Sequence, residues 1–71
     1  MISKHRKRLG ENIRIYRKSA KLTQEKLAEV ADLHPNYIGE VERGEKTISI
    51  DALARIAKAV GVKLSDLVVG V

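Results

Sequence analysis

The sequence predicts an all-α fold of five short helices within a single domain, residues 1–71. Three observations carry that prediction. Apolar residues recur at three- and four-residue spacing along most of the chain. No stretch alternates with period two for long enough to make a sheet. Residues suited to start or stop a helix flank the periodic runs.

In the first helix Leu9, Ile13, Tyr16 and Ala20 follow the i, i+4, i+7, i+11 rhythm of one buried face. The second is written "TQEKLAEVA". Thr23 is a good N-cap, and Glu25 lies in the first turn, where the helix dipole favours negative charge. Lys26 stands where a Glu or Gln would complete a capping box. Leu27 and Ala31 form the inner face, and Ala28 is small where two helices must cross closely.

The third helix begins at the lone proline. Pro35 has no N–H and a φ fixed near the helical value, which suits the first helical position. The same ring drives His34 out of the α region. The segment "ADLH" is therefore a connection, with Asp32 tolerant of a left-handed backbone, and "PNYIGEVER" is a helix stopped by Gly44. Ile38 and Val41 set its buried side. The fourth helix, "SIDALARIAKAV", has Ser49 as cap, Asp51 in its first turn, and Leu53, Ile56, Ala57 and Val60 on one stripe, with Gly61 ending it. The fifth is brief, around "LSDLVV".

A helix over 24–31, a short turn and a helix over 35–43 have the lengths of a helix-turn-helix, placing that motif at about 24–43. An ordinary αα-hairpin has the same outline. Charge adds a second clue. The chain carries net +5, and eight of its 14 Lys and Arg lie in the first 21 residues against Glu11 alone. A basic end suggests a polyanionic partner, nucleic acid ahead of an anionic membrane.

Several classes are set aside. The chain has no cysteine, which removes disulfides and thiolate zinc sites and fits a reducing, cytoplasmic setting. His5 and His34 are isolated and build no metal site, so no cofactor is expected. No apolar run reaches membrane-spanning length, and "MISKHRKR" is followed by no apolar signal core. There is no Ser/His/Asp or Cys/His set, no glycine-rich phosphate loop and no acidic cluster. Glu25 and Glu29 share a helix face without a partner for acid–base work, so the chain is not read as an enzyme.

The stretch "LTQEKLAEVADLHPNYIGEVERG", followed by "ISIDALARIAKAVGV", resembles the Cro/repressor (XRE) family of helix-turn-helix DNA-binding proteins from about Leu9 to Val69. The resemblance implies a compact five-helix domain similar to phage repressor DNA-binding domains. Within the family, "LHPNYIGEVERGEKTISI" is similar to the small controller proteins of restriction–modification systems, which are short stand-alone dimers. The expected function is a sequence-specific, double-stranded DNA-binding transcriptional regulator with no small-molecule ligand. An antitoxin, a DNA-binding partner of a separately encoded protein, or a helical interaction module without DNA stand as alternatives.

In this motif the second helix enters the major groove. At 100° per residue, Asn36, Gly39, Glu40 and Arg43 fall opposite Ile38 and Val41, with Pro35 at the edge. Pro35, Asn36, Gly39 and Glu40 are expected at the bases. An Asn amide can pair with adenine N6 and N7 together, and a Glu can accept from cytosine N4. Glycine lets the backbone approach. Gln24, His34, Tyr37, Arg43 and Lys46 are expected at the DNA backbone; Gln24 opens a helix whose free N–H groups favour an anion, and the resemblance implies a backbone-contacting Gln there. Arg14, Lys18 and an arm from Lys4 to Arg8 add diffuse attraction.

The resemblance also implies a partly buried ion pair between Arg17 and Glu42, which are therefore kept off the contact list. One small domain makes few base contacts, so a homodimer on a palindromic operator is expected. Its interface would use "LVVGV" with Ile15 and the last two helices.

Overall fold

The computed structural model describes residues 3–71. Its elements are α1 (Lys4–Ser19), α2 (Gln24–Ala31), α3 (Pro35–Glu42), α4 (Ile50–Val60) and α5 (Leu64–Leu67). No strand occurs among the described residues. Helix α3 packs against α1 and α2, α4 lies on α2 and α1, and α5 closes the bundle between α4 and α1.

Each helix supplies one fully enclosed side chain: Ile13, Leu27, Ile38, Ile56 and Leu67 are all 0% exposed. Burying each is worth about 1.5–3 kcal/mol. Ala28, Ala31, Val41, Leu53 and Ala57 complete the core, and Leu9, Tyr16, Leu22, Leu33 and Leu64 pack around it half-buried. Three helix starts use the hydroxyl caps that the local chemistry favours. Ser3 accepts from the His5 and Arg6 N–H groups, Thr23 from Lys26, and Ser49 from Ala52.

The four longer helices stop in the same way. Leu22 N–H reaches the Arg17 carbonyl, Leu33 reaches Ala28, Glu45 reaches Glu40 and Val62 reaches Ala57. In each loop the residue before the donor has positive φ: Lys21, Asp32, Gly44 and Gly61. This is the Schellman ending, in which orphan carbonyls of the last turn are satisfied locally. The donors Leu22, Leu33 and Val62 also drop an apolar side chain onto the core.

Two α1 residues that the apolar rhythm does not mark fix the tertiary arrangement. A Cβ on Gly10 would stand 2.5 Å from the Glu42 carbonyl oxygen and closer still to that of Val41. Only glycine lets α1 cross the end of α3 at this distance. Buried Asn12 donates from Nδ2 to the carbonyls of Leu67 at 2.9 Å and Val69 at 2.8 Å.

Four expectations change. Ala20 is exposed rather than on the buried face, because α1 ends at Ser19 and Ala20 already belongs to its turn. Lys4 to Arg8 is no arm but the first turns of α1, held by the Ser3 cap. Helix α3 ends at Glu42, with Arg43 as its cap. Helix α5 ends at Leu67, where Asn12 takes up carbonyls that a longer helix would use, and Val68, Val69 and Val71 remain exposed.

Candidate nucleic-acid interface

The turn between α2 and α3 sets the site. Asp32, at φ 56° and ψ 51°, ends α2 in the left-handed region. His34 is extended, and Pro35 occupies the first turn of α3. His34 is also the N-cap: its Nδ1 accepts from the Asn36 N–H at 3.1 Å. That bond needs Nδ1 unprotonated, so in the neutral ring the proton sits on Nε2. The cue lay in the sequence, since a proline at the first helical position makes the residue before it the cap, although histidine is an unusual one.

Gln24, Pro35, Asn36, Gly39, Glu40 and Arg43 line one shallow surface hollow. The four residues expected at the bases and two expected at the backbone are thus brought together. Asn36 and Pro35 are exposed and Glu40 is half-buried. Gly39 is buried, against the expectation of a bare backbone facing outward. A Cβ there would stand 3.1 Å from Arg43 Nη1 and 3.6 Å from Gln24 Oε1, so two long side chains overlie it.

A second hollow adjoins the first, sharing Gln24 and Arg43 and adding Arg14, Arg17, Lys18 and Glu42. Arg14 and Lys18 are exposed and form its basic rim. At its floor Glu42 accepts from Arg17 Nε at 2.6 Å and Nη2 at 3.1 Å, while Arg17 Nη1 donates to the Leu22 carbonyl at 2.9 Å. The two side chains are only 10% and 4% exposed. Glu42 Oε1 accepts again from Gln24 Nε2 at 3.1 Å. One Gln24 N–H is therefore committed inward, and its outward face presents the amide oxygen and the second N–H.

His34, Tyr37 and Lys46, also expected at the DNA backbone, do not line this hollow. The Tyr37 ring packs half-buried on the core, and its hydroxyl donates to the Thr47 carbonyl at 3.4 Å. Its proton must leave that carbonyl to serve a phosphate. Lys46 is exposed in the loop after α3. Arg43 Nε donates to Glu45 Oε2 at 2.9 Å. That bond raises the Arg43 guanidinium above its ordinary value and holds the Glu45 carboxyl below the usual carboxylate range. Glu45 carries no periodic signal; the cue that could have found it is the R-G-E spacing, in which a left-handed glycine turns i and i+2 toward each other.

Among the described residues no group of three or more His, Cys, Asp and Glu side chains is placed to hold a metal ion. No helix among the described residues is long and apolar enough to cross a membrane.

Comparison with known proteins identifies the family. A helix-turn-helix family profile matches residues 13–67. The control protein C.SmaI of Serratia marcescens is 44% identical over 59 residues, covering 83% of this chain and 70% of that protein. The crystal structure of the restriction–modification controller protein C.AhdI from Aeromonas hydrophila superposes with a TM-score of 0.86 at 31% identity, over 87% of this chain and 94% of that one. The biofilm regulator SinR, solved in complex with DNA, superposes with a TM-score of 0.80 at 28% identity, over 83% and 95% of the respective chains. With the profile spanning both helices of the motif and most of the bundle around them, this chain belongs to the helix-turn-helix (XRE-type) family of regulators.

Proposed function

We propose that this chain is a sequence-specific DNA-binding transcriptional regulator, a restriction–modification controller, working in the cytoplasm as a homodimer on a palindromic operator. The observation that carries the reading is the hollow in which Asn36 and Glu40 face outward along α3 beside the start of α2 and a basic rim. Helix α3 enters the major groove. Asn36, with Pro35 beside it, meets base edges, and Glu40 discriminates rather than attracts, since a carboxylate among phosphates adds nothing to general affinity. Gly39, with no side chain, lets Arg43 and Gln24 lie across the middle of α3.

Gln24, His34, Tyr37, Arg43 and Lys46 hold the DNA backbone. Gln24 does so with the part of its amide that Glu42 leaves free, and His34 with Nε2–H. Arg17 and Glu42 stay inside as architecture. Nothing in this arrangement asks for a cofactor, a small ligand or catalysis.

The longest extent of one domain is 29 Å, shorter than the roughly 34–36 Å between half-sites one helical turn apart. Two copies are needed to read both. Ile15 is 63% exposed and Val69 60%, and with Val68, Val71 and Ile50 at the start of α4 they supply apolar surface for the pairing. Selection of bound duplexes from a random pool tests the reading, with the mass of the complex measured in parallel. A palindromic consensus bound by two chains is expected. Enrichment of no duplex at low salt would overturn it.

A further inference from the structure

We infer that Glu45 acts through Arg43, as a carboxylate built into the protein that competes with DNA phosphate for the same guanidinium. The inference rests on the DNA-binding reading above and adds a residue to it. Arg43 projects from the end of α3 into the hollow, where its Nη1 reaches over Gly39, and its Nε is bonded to Glu45. Both side chains are solvent-facing, 59% and 45% exposed. The position of Glu45 is set by backbone rather than by its own side chain. Gly44 at φ 76° reverses the chain, and the Glu45 N–H is fixed to the Glu40 carbonyl at 2.9 Å.

A carboxylate and a phosphodiester offer a guanidinium the same thing, a pair of anionic oxygens. Arg43 therefore meets DNA already paired. Taking a phosphate releases Glu45, whose charge is then left beside the polyanion and offsets the charge Arg43 delivers. Glu40, one turn back on α3, also acts on the Arg43 charge. The contact is thereby weakened without being lost, which suits a regulator that must leave its site.

The test is a double-mutant cycle of Arg43→Ala and Glu45→Gln, read as affinity for the selected operator across a salt series. Both positions are exposed, and circular dichroism of all four proteins checks that each is folded. With Glu45 present, Arg43→Ala should cost little. With Glu45→Gln it should weaken binding by about two- to fivefold more, the magnitude of an exposed ion pair. It should also reduce the salt slope by about 0.9, one phosphate contact, in the Glu45→Gln background and by less with Glu45 present. An equal cost of Arg43→Ala in both backgrounds overturns the inference, leaving Glu45 as simple repulsion. Failure of the wild-type chain to bind any duplex is a separate result, which overturns the DNA-binding reading and this inference with it.

Discussion

Arg17 and Glu42 face each other through two nearly parallel hydrogen bonds, Nε to Oε2 at 2.6 Å and Nη2 to Oε1 at 3.1 Å, in a setting almost closed to water. The pair joins α1 to the last residue of α3, and through Oε1 it also orients Gln24 at the start of α2. Three helices that must present one surface are thus tied at one carboxylate.

Breaking that pair from one side leaves a desolvated charge. Glu42→Ala should lower stability by about 3–5 kcal/mol in urea unfolding. Arg17→Leu combined with Glu42→Met should regain most of the loss, because two apolar side chains of similar volume need no charge compensation. The double variant should still bind DNA less well, since Gln24 then loses its anchor.

Gly10→Ala sets two effects against each other. Alanine gains about 1 kcal/mol of helix propensity over glycine. The new methyl meets two backbone carbonyl oxygens of α3, which cannot rotate away. Forcing the helices apart should win, with a net destabilisation of roughly 2–3 kcal/mol in thermal or urea unfolding.

Lys21→Gly should act in the opposite direction. Lys21 holds φ 61° in the loop that ends α1. A side chain pays roughly 1–2 kcal/mol for that conformation, and part of the relief is lost to the greater freedom of unfolded glycine. A gain of about 1 kcal/mol in unfolding free energy is expected.

The roles proposed for Asn36 and Lys46 predict different outcomes. Asn36→Ala should reduce the preference for operator over random duplex by roughly 1–3 kcal/mol. Lys46→Ala should weaken both about equally and lower the salt slope by about one. Titrations of each variant against the two duplexes distinguish the roles, and identical behaviour of the two variants would show the division to be wrong.

Much of the architecture was legible because it is written locally. Pro35, Thr23, Ser49, Gly44 and Gly61 mark helix ends by properties of their own backbone, and Leu27, Ile38 and Ile56 mark faces by spacing alone. The hollow was half-legible: helical geometry put Asn36 and Glu40 on the outer side of α3, but burial of Gly39 depends on where Arg43 and Gln24 lay their side chains. Gly10 and Asn12 were invisible for a related reason. Each matters through atoms more than thirty positions away, and a polar or small residue in a helix gives no sign of such a partner. The second half of "LSDLVV" reads as helix for the same cause, since nothing near it announces the Asn12 amide.

The shared way in which α1 to α4 stop carries a consequence for how the chain reaches its native state. Each loop closes between residues five positions apart and needs no distant neighbour, so the corners of the bundle can take shape before the core does. Short-range closure of this kind keeps the entropic cost of the search small, and folding should complete within microseconds to milliseconds, as relaxation after a temperature jump would record.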